Sequence, residues 1–390
     1  MSRITKTVWI LSIVSFFTDV ASEKLYPIMP IYLNSIHFSV LFIGVLEGIA
    51  EATAGLSKGY FGKLSDNRGK RLPFVRLGYG LSAISKPMMV ISTFTGWILS
   101  ARTLDRLGKG IRTGARDAML SDEATPQTKG RIFGFHRSWD TLGAVTGPSI
   151  ALLFLYFHPA SYKTLFYIAF IPGVFAIAFT FFIKEKKTEI KQKKHTSFFD
   201  FLRYWKDSSP EYKKLVTGLL LFTLFNSSDV FLLLRMKTAG MDDTMTIGVY
   251  IFYNVIYAAL AYPLGIVADK IGLKKVFLIG LVAFTIVYAL IGLNNSIPVF
   301  FALFLIYGIY AAATEGVSKA WITNISEKKD TATAIGTFTA FQSICTLLAS
   351  SMAGVIWYKF GAIATFGITA ITSGILVLYF MRLKYRPANI

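Results

Sequence analysis

The sequence predicts an all-α polytopic membrane protein with about twelve transmembrane helices in two pseudo-symmetric six-helix bundles. Three observations predict this fold class. Apolar residues make up 54% of the 390-residue chain, and its mean hydropathy is +0.53, which is too apolar for a soluble globular protein. Apolar stretches of about 20 residues, each long enough to cross ~30 Å of hydrocarbon, recur along the chain. One loop pattern also occurs twice, about half a chain apart.

The apolar stretches fall into two sets of six, one on each side of a basic middle segment. They lie at 8–33, 39–61, 74–95, 97–120, 131–156, 163–183, 213–236, 244–268, 275–293, 298–321, 331–357 and 361–383. We therefore expect an N-terminal six-helix bundle at 1–183, a cytoplasmic linker at 184–212 and a C-terminal six-helix bundle at 213–390. Within the linker, the aromatic and charged residues of 197–206 predict an amphipathic helix on the inner membrane surface.

The formal net charge of +19 indicates how the chain is oriented, because its basic residues lie in alternate loops. Lys and Arg are concentrated at 3–6, 62–76, 129–131, 184–214, 270–275, 328–329 and 382–386. The intervening loops carry few, which is the pattern of the positive-inside rule. We therefore expect a multi-pass protein of the cell's inner (plasma) membrane with both termini cytoplasmic. The basic residues are accounted for by contact with the lipid bilayer, and no nucleic-acid partner is expected.

Several kinds of site are excluded by what the sequence lacks. The single Cys345 permits no intramolecular disulfide, and no Cys/His cluster has the spacing of zinc ligands. No nucleotide-binding loop of the G-x4-G-K-[ST] type is present. We therefore expect no metal and no cofactor. No enzymatic activity is expected either, because no nucleophile and base, and no metal triad, form a recognisable pattern. Charged residues interrupt the first apolar run, so we interpret it as a retained span rather than a cleaved signal.

The most informative pattern is a tight basic turn between the second and third apolar stretches. It reads Gly62-Lys63-Leu64-Ser65-Asp66-Asn67-Arg68-Gly69-Lys70-Arg71. Each of its charges would cost roughly 2.5 to 3.5 kcal/mol in hydrocarbon, so the turn faces water. Its Gly, Asp and Gly recur 203 residues later as Gly265, Asp269 and Gly272. Such an offset is typical of a duplicated membrane protein.

The turn G-x-L-S-D-x-x-G-K-R closely resembles the loop motif of the major facilitator superfamily, whose two-half layout would cover essentially the whole chain. Two further patterns resemble motifs of that family. Arg102-x5-Gly108-x-Gly110-x3-Gly114 is similar to its fourth-helix motif, and Gly134-x8-Gly143-x3-Gly147-Pro148 to its fifth-helix motif. The resemblance implies a transporter, which we expect to function as a monomer. The fifth-helix motif is associated mainly with antiporters.

The resemblance also implies a gating role for both loops. The residues it assigns to the gate are Gly62, Asp66, Gly69, Arg71, Gly265, Asp269 and Gly272. Each aspartate would lie near the N-terminus of a helix from the opposite half, favoured by the helix dipole by roughly 0.3 to 1 kcal/mol. There it would help to hold one access state closed. The alternative is that each aspartate caps its own helix or balances nearby Lys and Arg side chains.

Charged residues also occur inside the predicted spans, where they are costly unless they face protein or a water-filled cavity. The candidates for substrate binding or proton coupling are Asp19, Glu23, Glu47, Glu51, Arg102, Arg106, Arg137, Asp140, Asp229, Glu315 and Lys319. A carboxylate that is alternately exposed to arginine and to water would release and take up a proton. The alternative is a permanent, charge-balanced lattice within the first half.

Two pairs on later helices leave their roles open. Arg102 and Arg106 either hold helices together by ion pairs or clamp an anionic substrate, because guanidinium binds carboxylate or phosphate in a bidentate manner. Glu315 and Lys319 lie one helical turn apart, and we expect them to line a cavity. The fifth helix should pack closely through small residues and a proline, namely Gly134, Gly143, Gly147 and Pro148.

These patterns favour a secondary active transporter that moves a small polar or charged solute by alternating access. Without a nucleotide-binding loop, an ion gradient would drive it, and protons are the first candidate. The fifth-helix motif favours antiport and export. The alternative is proton-coupled import of an organic anion, a nutrient or a metal chelate. A non-transporting receptor or a lipid-handling membrane protein is a more distant alternative, because a static receptor has no need of gating loops.

Overall fold

The computed structural model describes residues 4–25, 28–38, 40–159, 161–185, 197, 199–226 and 229–383, and its regular structure there is helical. The α-helices in chain order are α1 Lys6–Glu23, α2 Met29–Ser35, α3 Val40–Arg68, α4 Leu72–Ile91, α5 Thr95–Asp122, α6 Lys129–Phe157, α7 Tyr162–Thr180, α8 Asp200–Asp207, α9 Pro210–Phe225, α10 Asp229–Thr238, α11 Asp243–Ile271, α12 Leu273–Ile291, α13 Ile297–Ile325 and α14 Thr331–Arg382. Residues 1–3 and 384–390, and most of the linker at 186–196 and 198, lie outside the described residues, so the predicted location of the two termini is not described.

The helices account for the twelve predicted spans. The first span contains α1 and α2, and the seventh contains α9 and α10. The 52 residues of α14 form two spans, because Gly361 has non-helical angles of φ 80° and ψ 178°. An unbroken helix of that length would reach roughly 78 Å, more than twice the hydrocarbon thickness. Seven helical stretches of the described residues are long and apolar enough to cross a membrane by composition alone.

Local sequence sets the boundaries of several helices. Pro210 occupies the first turn of α9, where its missing N–H costs nothing, and the Ser209 hydroxyl accepts a hydrogen bond from the Tyr212 amide at 3.2 Å. Asp242 caps α11 in the same way by accepting from the Met245 amide at 2.7 Å. At the other end of α11, Gly272 has φ 104° and allows the chain to turn directly into α12. Because the connecting loops are short, these caps and the turn at Gly272 define where one helix ends and the next begins.

The chain forms two compact units. The first contains 1–123, 139–207 and 327–340, and the second contains 124–138, 208–326 and 341–390. The segment 124–138 therefore belongs to the second unit although the residues on both sides of it belong to the first. The segment 327–340 belongs to the first unit although the residues on both sides of it belong to the second. The domain boundaries predicted from the sequence stay a prediction.

The first unit has an apolar core near the predicted outer ends of its helices. Tyr32 is fully buried there, with its ring centroid 4.9 Å from that of Phe166. Its hydroxyl donates a 3.1 Å hydrogen bond to the Met89 carbonyl, which satisfies the one polar atom of the side chain. The core of the second unit is more aromatic. Phe277 packs there between Trp321 and Phe380, at centroid distances of 5.9 and 4.9 Å.

The short helix α8 lies between α7 and α9, and its most buried side chain contacts protein. Phe201 is only 2% exposed and lies so close to Gly59 that a Cβ there would approach the ring to 2.6 Å. The Thr337 hydroxyl donates a 3.2 Å hydrogen bond to the Phe201 carbonyl. Phe201 therefore anchors α8 to α3 and to the first turns of α14, while Phe199 and Arg203 remain exposed.

Candidate functional site

Asp66, in the last turn of α3, lies at the N-terminus of α14. One carboxylate oxygen of Asp66 accepts hydrogen bonds from the Thr333 amide at 2.7 Å and from the Thr333 hydroxyl at 2.8 Å. Thr333 is the third residue of α14, so its amide has no acceptor within the helix. Arg71 approaches the other oxygen at 3.3 Å and also pairs with Asp122. Burial raises the pKa of Asp66 to about 6, although Arg71 and the Thr333 hydrogen bonds act in the opposite direction.

Asp269, in the last turn of α11, makes the equivalent contact within the second unit. Asp269 accepts hydrogen bonds from the amides of Gly130 at 2.7 Å and Arg131 at 3.0 Å, at the N-terminus of α6. The Arg131 guanidinium adds a third contact at 3.2 Å. The aspartates are 203 residues apart, and their partners Arg131 and Thr333 are 202 apart. Each aspartate thus caps a helix that begins in the other half of the sequence.

Glycines allow these close approaches. A Cβ on Gly62 would collide with the carbonyl oxygen of Ala332, and one on Gly265 would collide with that of Gly130. Gly69 and Gly272 have φ values of 61° and 104°, which L-residues rarely adopt. The four glycines of the repeated pattern therefore divide into two that permit helix contact and two that permit the turn.

In the first unit, Arg102 lies in a chain of alternating charges that we call the ion-pair chain. It comprises Lys86, Asp105, Arg102, Glu47, Arg106 and Glu51. Arg102 binds Glu47 through two hydrogen bonds, from Nε and from a terminal nitrogen, both at 2.8 Å. Asp105 binds Lys86 at 2.6 Å and Arg102 at 3.4 Å. This end of the ion-pair chain is buried, and Arg102 is held there by two hydrogen bonds, which favours a structural role for Arg102.

The other end of the ion-pair chain is looser. Arg106 contacts Glu51 at 3.1 Å and Glu47 at 3.9 Å, each through one terminal nitrogen. Its Nε is buried without a hydrogen-bond partner among the residues that the structure describes. The Glu51 side chain is 56% exposed. Arg106 therefore keeps an unsatisfied Nε donor beside the exposed carboxylate of Glu51.

Asp140 and Asp19, from α6 and α1, come together in the same unit. The Ser15 hydroxyl donates to Asp140, and Arg116 donates to the Ser15 oxygen at 3.3 Å. Asp19 lies one helical turn beyond Ser15 on α1. Glu23, one turn further along α1, is partly buried.

Two glycines of the fifth-helix motif bring α6 close to α1. A Cβ on Gly143 would lie 2.6 Å from the Phe16 carbonyl oxygen, and one on Gly147 would lie 2.8 Å from the Lys24 amide. Pro148 follows within α6. The third glycine, Gly134, instead packs on Ala261 of α11.

In the second unit, Arg137 is bound by tyrosine and glutamate. Its Nε donates to the Tyr257 hydroxyl, its guanidinium lies 5.4 Å from the centre of that ring, and it contacts Glu315 at 3.4 Å. Asp229 accepts a 2.7 Å hydrogen bond from the Tyr307 hydroxyl. Lys319 lies one turn from Glu315 and is partly buried; the cavity-lining role of this pair stays a prediction.

Two groups of residues were missed by sequence reasoning. Lys86 and Asp105 form the buried end of the ion-pair chain, and the signal available was a single lysine in the middle of an apolar span. The second group is a cluster of buried tyrosines around Asp229 and Arg137. Its members are Tyr253, Tyr257, Tyr288, Tyr307 and Tyr310. Their spacings of three and four residues on α11 and α13 would have placed several of them on one helical face.

Comparisons with known proteins agree with this architecture. The family model of the Major Facilitator Superfamily matches residues 9–254 and 236–389. An uncharacterized MFS-type transporter of Methanocaldococcus jannaschii is 34% identical over 387 residues, covering 97% of this chain and 95% of that protein. A multi-drug resistance efflux pump PmrA homolog of Lactococcus lactis is 22% identical over 90% of this chain and 89% of its own length.

Among solved structures, the human organic anion transporter MFSD10 (TETRAN) superimposes with a TM-score of 0.81. It is 16% identical in sequence, and the match covers 97% of this chain and 99% of that one. At this identity the likeness concerns the fold alone. The matched family model and the long archaeal relative extend over both halves, including both copies of the repeated Gly-Asp-Gly pattern. The chain therefore belongs to the major facilitator superfamily, a family of membrane transporters and not of enzymes.

Proposed function

We propose that this protein is a proton-coupled secondary transporter that moves a small polar or charged solute by alternating access, with antiport and export favoured. Family membership supports transport of a small molecule. The efflux-pump relative in L. lactis supports the export direction for this chain. Proton coupling is supported by the carboxylates inside the spans, because a charge at membrane depth is costly and typically marks an ion or proton pathway.

The observation that carries the proposal is the reciprocal pair of helix caps. Asp66 caps the helix that begins at Thr331, and Asp269 caps the helix that begins at Lys129. Each cap combines the aspartate with backbone amides that have no acceptor in their own helix. Such contacts are strong when assembled and are lost together when the helix ends separate, which is the behaviour that a gate requires.

The charges of the ion-pair chain support a polar solute over a purely hydrophobic one. Arg102 is held by two hydrogen bonds to Glu47, whereas the Arg106 Nε is unsatisfied among the described residues and its partner Glu51 is exposed. A carboxylate or phosphate group of a solute would displace Glu51 and satisfy Arg106 in a bidentate manner. We therefore assign Arg106, and not Arg102, to solute binding.

The same observation favours one alternative function. Arg106 would bind an anion whichever side of the membrane the anion came from, so this residue does not fix the direction of transport. Proton-coupled import of an organic anion, a nutrient or a metal chelate therefore fits the same residues. We further propose that the protein functions as a monomer. We also propose that it lies in the inner (plasma) membrane with cytoplasmic termini, because its basic loops alternate as the positive-inside rule requires.

Reconstitution tests the proposal directly. The protein is placed in liposomes that contain a pH-sensitive dye, and organic anions, organic cations and metal chelates are added in turn under imposed pH gradients. We expect at least one solute class to move protons in a solute-dependent manner, and the sign of that movement separates antiport from symport. Solute uptake with no proton movement under any gradient would contradict proton coupling. An Arg106→Lys variant serves as the matched control for solute charge, because it keeps the charge and removes the bidentate fork.

A further inference from the structure

Three buried tyrosines of the second unit form a continuous row between Arg137 and Asp229. We call Tyr257, Tyr253 and Tyr307 the tyrosine row. The ring centroids of Tyr257 and Tyr253 are 6.2 Å apart, and those of Tyr253 and Tyr307 are 5.0 Å apart. Each of the three side chains is buried. The row therefore connects a cation at one end to a carboxylate at the other through adjacent aromatic rings.

The Arg137 end of the row already holds a cation. The Arg137 guanidinium lies 5.4 Å from the centre of the Tyr257 ring, and its Nε donates to the Tyr257 hydroxyl. Glu315 supplies the opposite charge, 3.4 Å from a terminal nitrogen of Arg137. An aromatic ring and a carboxylate are groups by which proteins bind organic cations. This end is therefore a complete cation site, and the protein itself supplies the cation.

The Asp229 end of the row has the ring and the carboxylate without a cation. The Tyr307 hydroxyl donates to one Asp229 oxygen at 2.7 Å. No Lys or Arg in the part of the chain that the structure describes pairs with this carboxylate. Asp229 is partly buried, and a carboxylate withdrawn from water without a positive partner is costly. A bound cation would remove that cost.

Tyr253, in the middle of the row, has an unused hydroxyl group. Its side chain is 7% exposed, and its hydroxyl makes no hydrogen bond with the described residues. Other hydroxyls of the cluster have partners, since Tyr288 donates to Asn226 at 3.3 Å and the Asn226 amide donates to Tyr310 at 3.5 Å. Buried polar groups normally have a partner. Tyr253 and Asp229 are therefore two acceptors on one aromatic row that a protonated amine would satisfy.

We propose that Asp229 and the tyrosine row bind the ammonium group of an organic amine. The ammonium donates N–H hydrogen bonds to Asp229 and to the Tyr253 hydroxyl, and the aromatic rings attract its positive charge. The Tyr307 hydroxyl holds the Asp229 carboxylate in place. This inference rests on the proposed transport function and narrows the solute to compounds that carry an amine. Together with the assignment of Arg106 to an anionic group, it favours a solute that carries both charges.

Saturation-transfer NMR of the purified full-length protein in lipid nanodiscs tests this binding, with n-butylammonium as the probe at neutral pH. We expect butylammonium to bind about tenfold or more tightly than n-butanol, because hydrogen bonds to charged groups are the stronger ones. Tetramethylammonium keeps the charge but has no N–H group, so it should bind more weakly than butylammonium.

Two variants test the named residues, and a third is the matched control. Asp229→Asn should weaken butylammonium binding about tenfold or more. Tyr253→Phe keeps the ring and removes the hydroxyl, so it should weaken binding about fivefold. Asp242→Asn changes an aspartate of the same unit that caps α11 outside the row, and it should leave binding unchanged.

Three results would overturn the inference. Equal binding of butylammonium and butanol means that the site is apolar and has no counter-charge. Unchanged butylammonium binding in Asp229→Asn means that this carboxylate is not the counter-ion. Unchanged binding in Tyr253→Phe refutes the hydrogen-bonded ammonium, and this variant decides the question if Asp229→Asn folds poorly.

The binding experiment uses no gradient, so its failure differs from failure of the proposed transport. Amine binding that depends on Asp229, without transport of any amine into liposomes, refutes the proposed function and leaves the site in place. Proton-coupled transport confined to solutes that lack an amine refutes the site and leaves the function in place.

Discussion

Replacing Asp66 by alanine should loosen the first turn of α14. The change removes the acceptor of the Thr333 amide and hydroxyl, whose hydrogen bonds are 2.7 and 2.8 Å long. An unsatisfied buried donor costs about 1 to 3 kcal/mol, and the hydroxyl can turn to another acceptor whereas the amide cannot. We therefore expect a loss of roughly 2 to 3 kcal/mol, which corresponds to about 30- to 150-fold faster amide exchange.

Hydrogen–deuterium exchange followed by mass spectrometry measures this effect on the peptide that contains residues 331–336. Asp269→Ala is the matched control, because its carboxylate caps Gly130 and Arg131 instead. Each variant should accelerate exchange at its own capped segment and leave the other segment protected. Equal acceleration of both segments in either variant would indicate general unfolding and refute the local cap.

Asp66→Asn separates the acceptor from the charge. Burial raises the pKa of Asp66 to about 6, which means that the buried site disfavours the ionised form. Asparagine offers a neutral oxygen to the Thr333 amide and avoids that cost, so it should restore most of the protection that alanine loses. If asparagine proved as damaging as alanine, the ion pair with Arg71 and not the hydrogen bonds to Thr333 would hold Asp66 against the first turn of α14.

Three further outcomes are expected. The pKa of Asp66 is raised to about 6 from an ordinary 3.8, so the conformation that buries this group binds a proton more readily than one that exposes it to water. Lowering the pH from 7 to 5 should therefore favour the buried conformation about tenfold, as measured by amide exchange at 331–336 corrected for intrinsic rates. The effect should vanish in Asp66→Asn. Arg102→Lys removes the double hydrogen bond to Glu47 and should lower the free energy of unfolding by about 2 kcal/mol in thermal unfolding. Arg106→Lys should change that free energy by less than about 1 kcal/mol and weaken solute binding instead. The reverse order of the two effects would contradict the assigned roles. Phe201→Ala should destabilise the contact of α8 with Gly59 by roughly 3 to 5 kcal/mol and expose α8 to limited proteolysis, and unchanged cleavage would refute the anchor.

The helical membrane fold could be predicted from the sequence because its causes are local. An apolar stretch of about 20 residues must satisfy its own backbone in hydrocarbon, and only a helix does so within one segment. The repeated loop likewise indicated the duplication, since Gly, Asp and Gly recur at one offset. The charge pattern of the loops predicted an orientation by the same local reasoning. None of these conclusions needs a contact between distant residues.

The partners of the charged side chains were decided only by the tertiary structure. Sequence reasoning grouped Arg102 and Arg106 together, yet only Arg102 is held by two hydrogen bonds to Glu47. It proposed helix caps for Asp66 and Asp269, but it named neither Thr333 nor Gly130 as the donor.

Asp19 and Asp140 were separate candidates in the sequence, and the structure places Asp140 against the Ser15 hydroxyl of α1, the helix that also carries Asp19. The physical reason is that a charge in a membrane is recognisable by its cost alone, whereas the group that offsets that cost can come from any helix that packs close enough. The sequence by itself therefore determined which residues needed a partner, and the packing of the helices decided which partner each received.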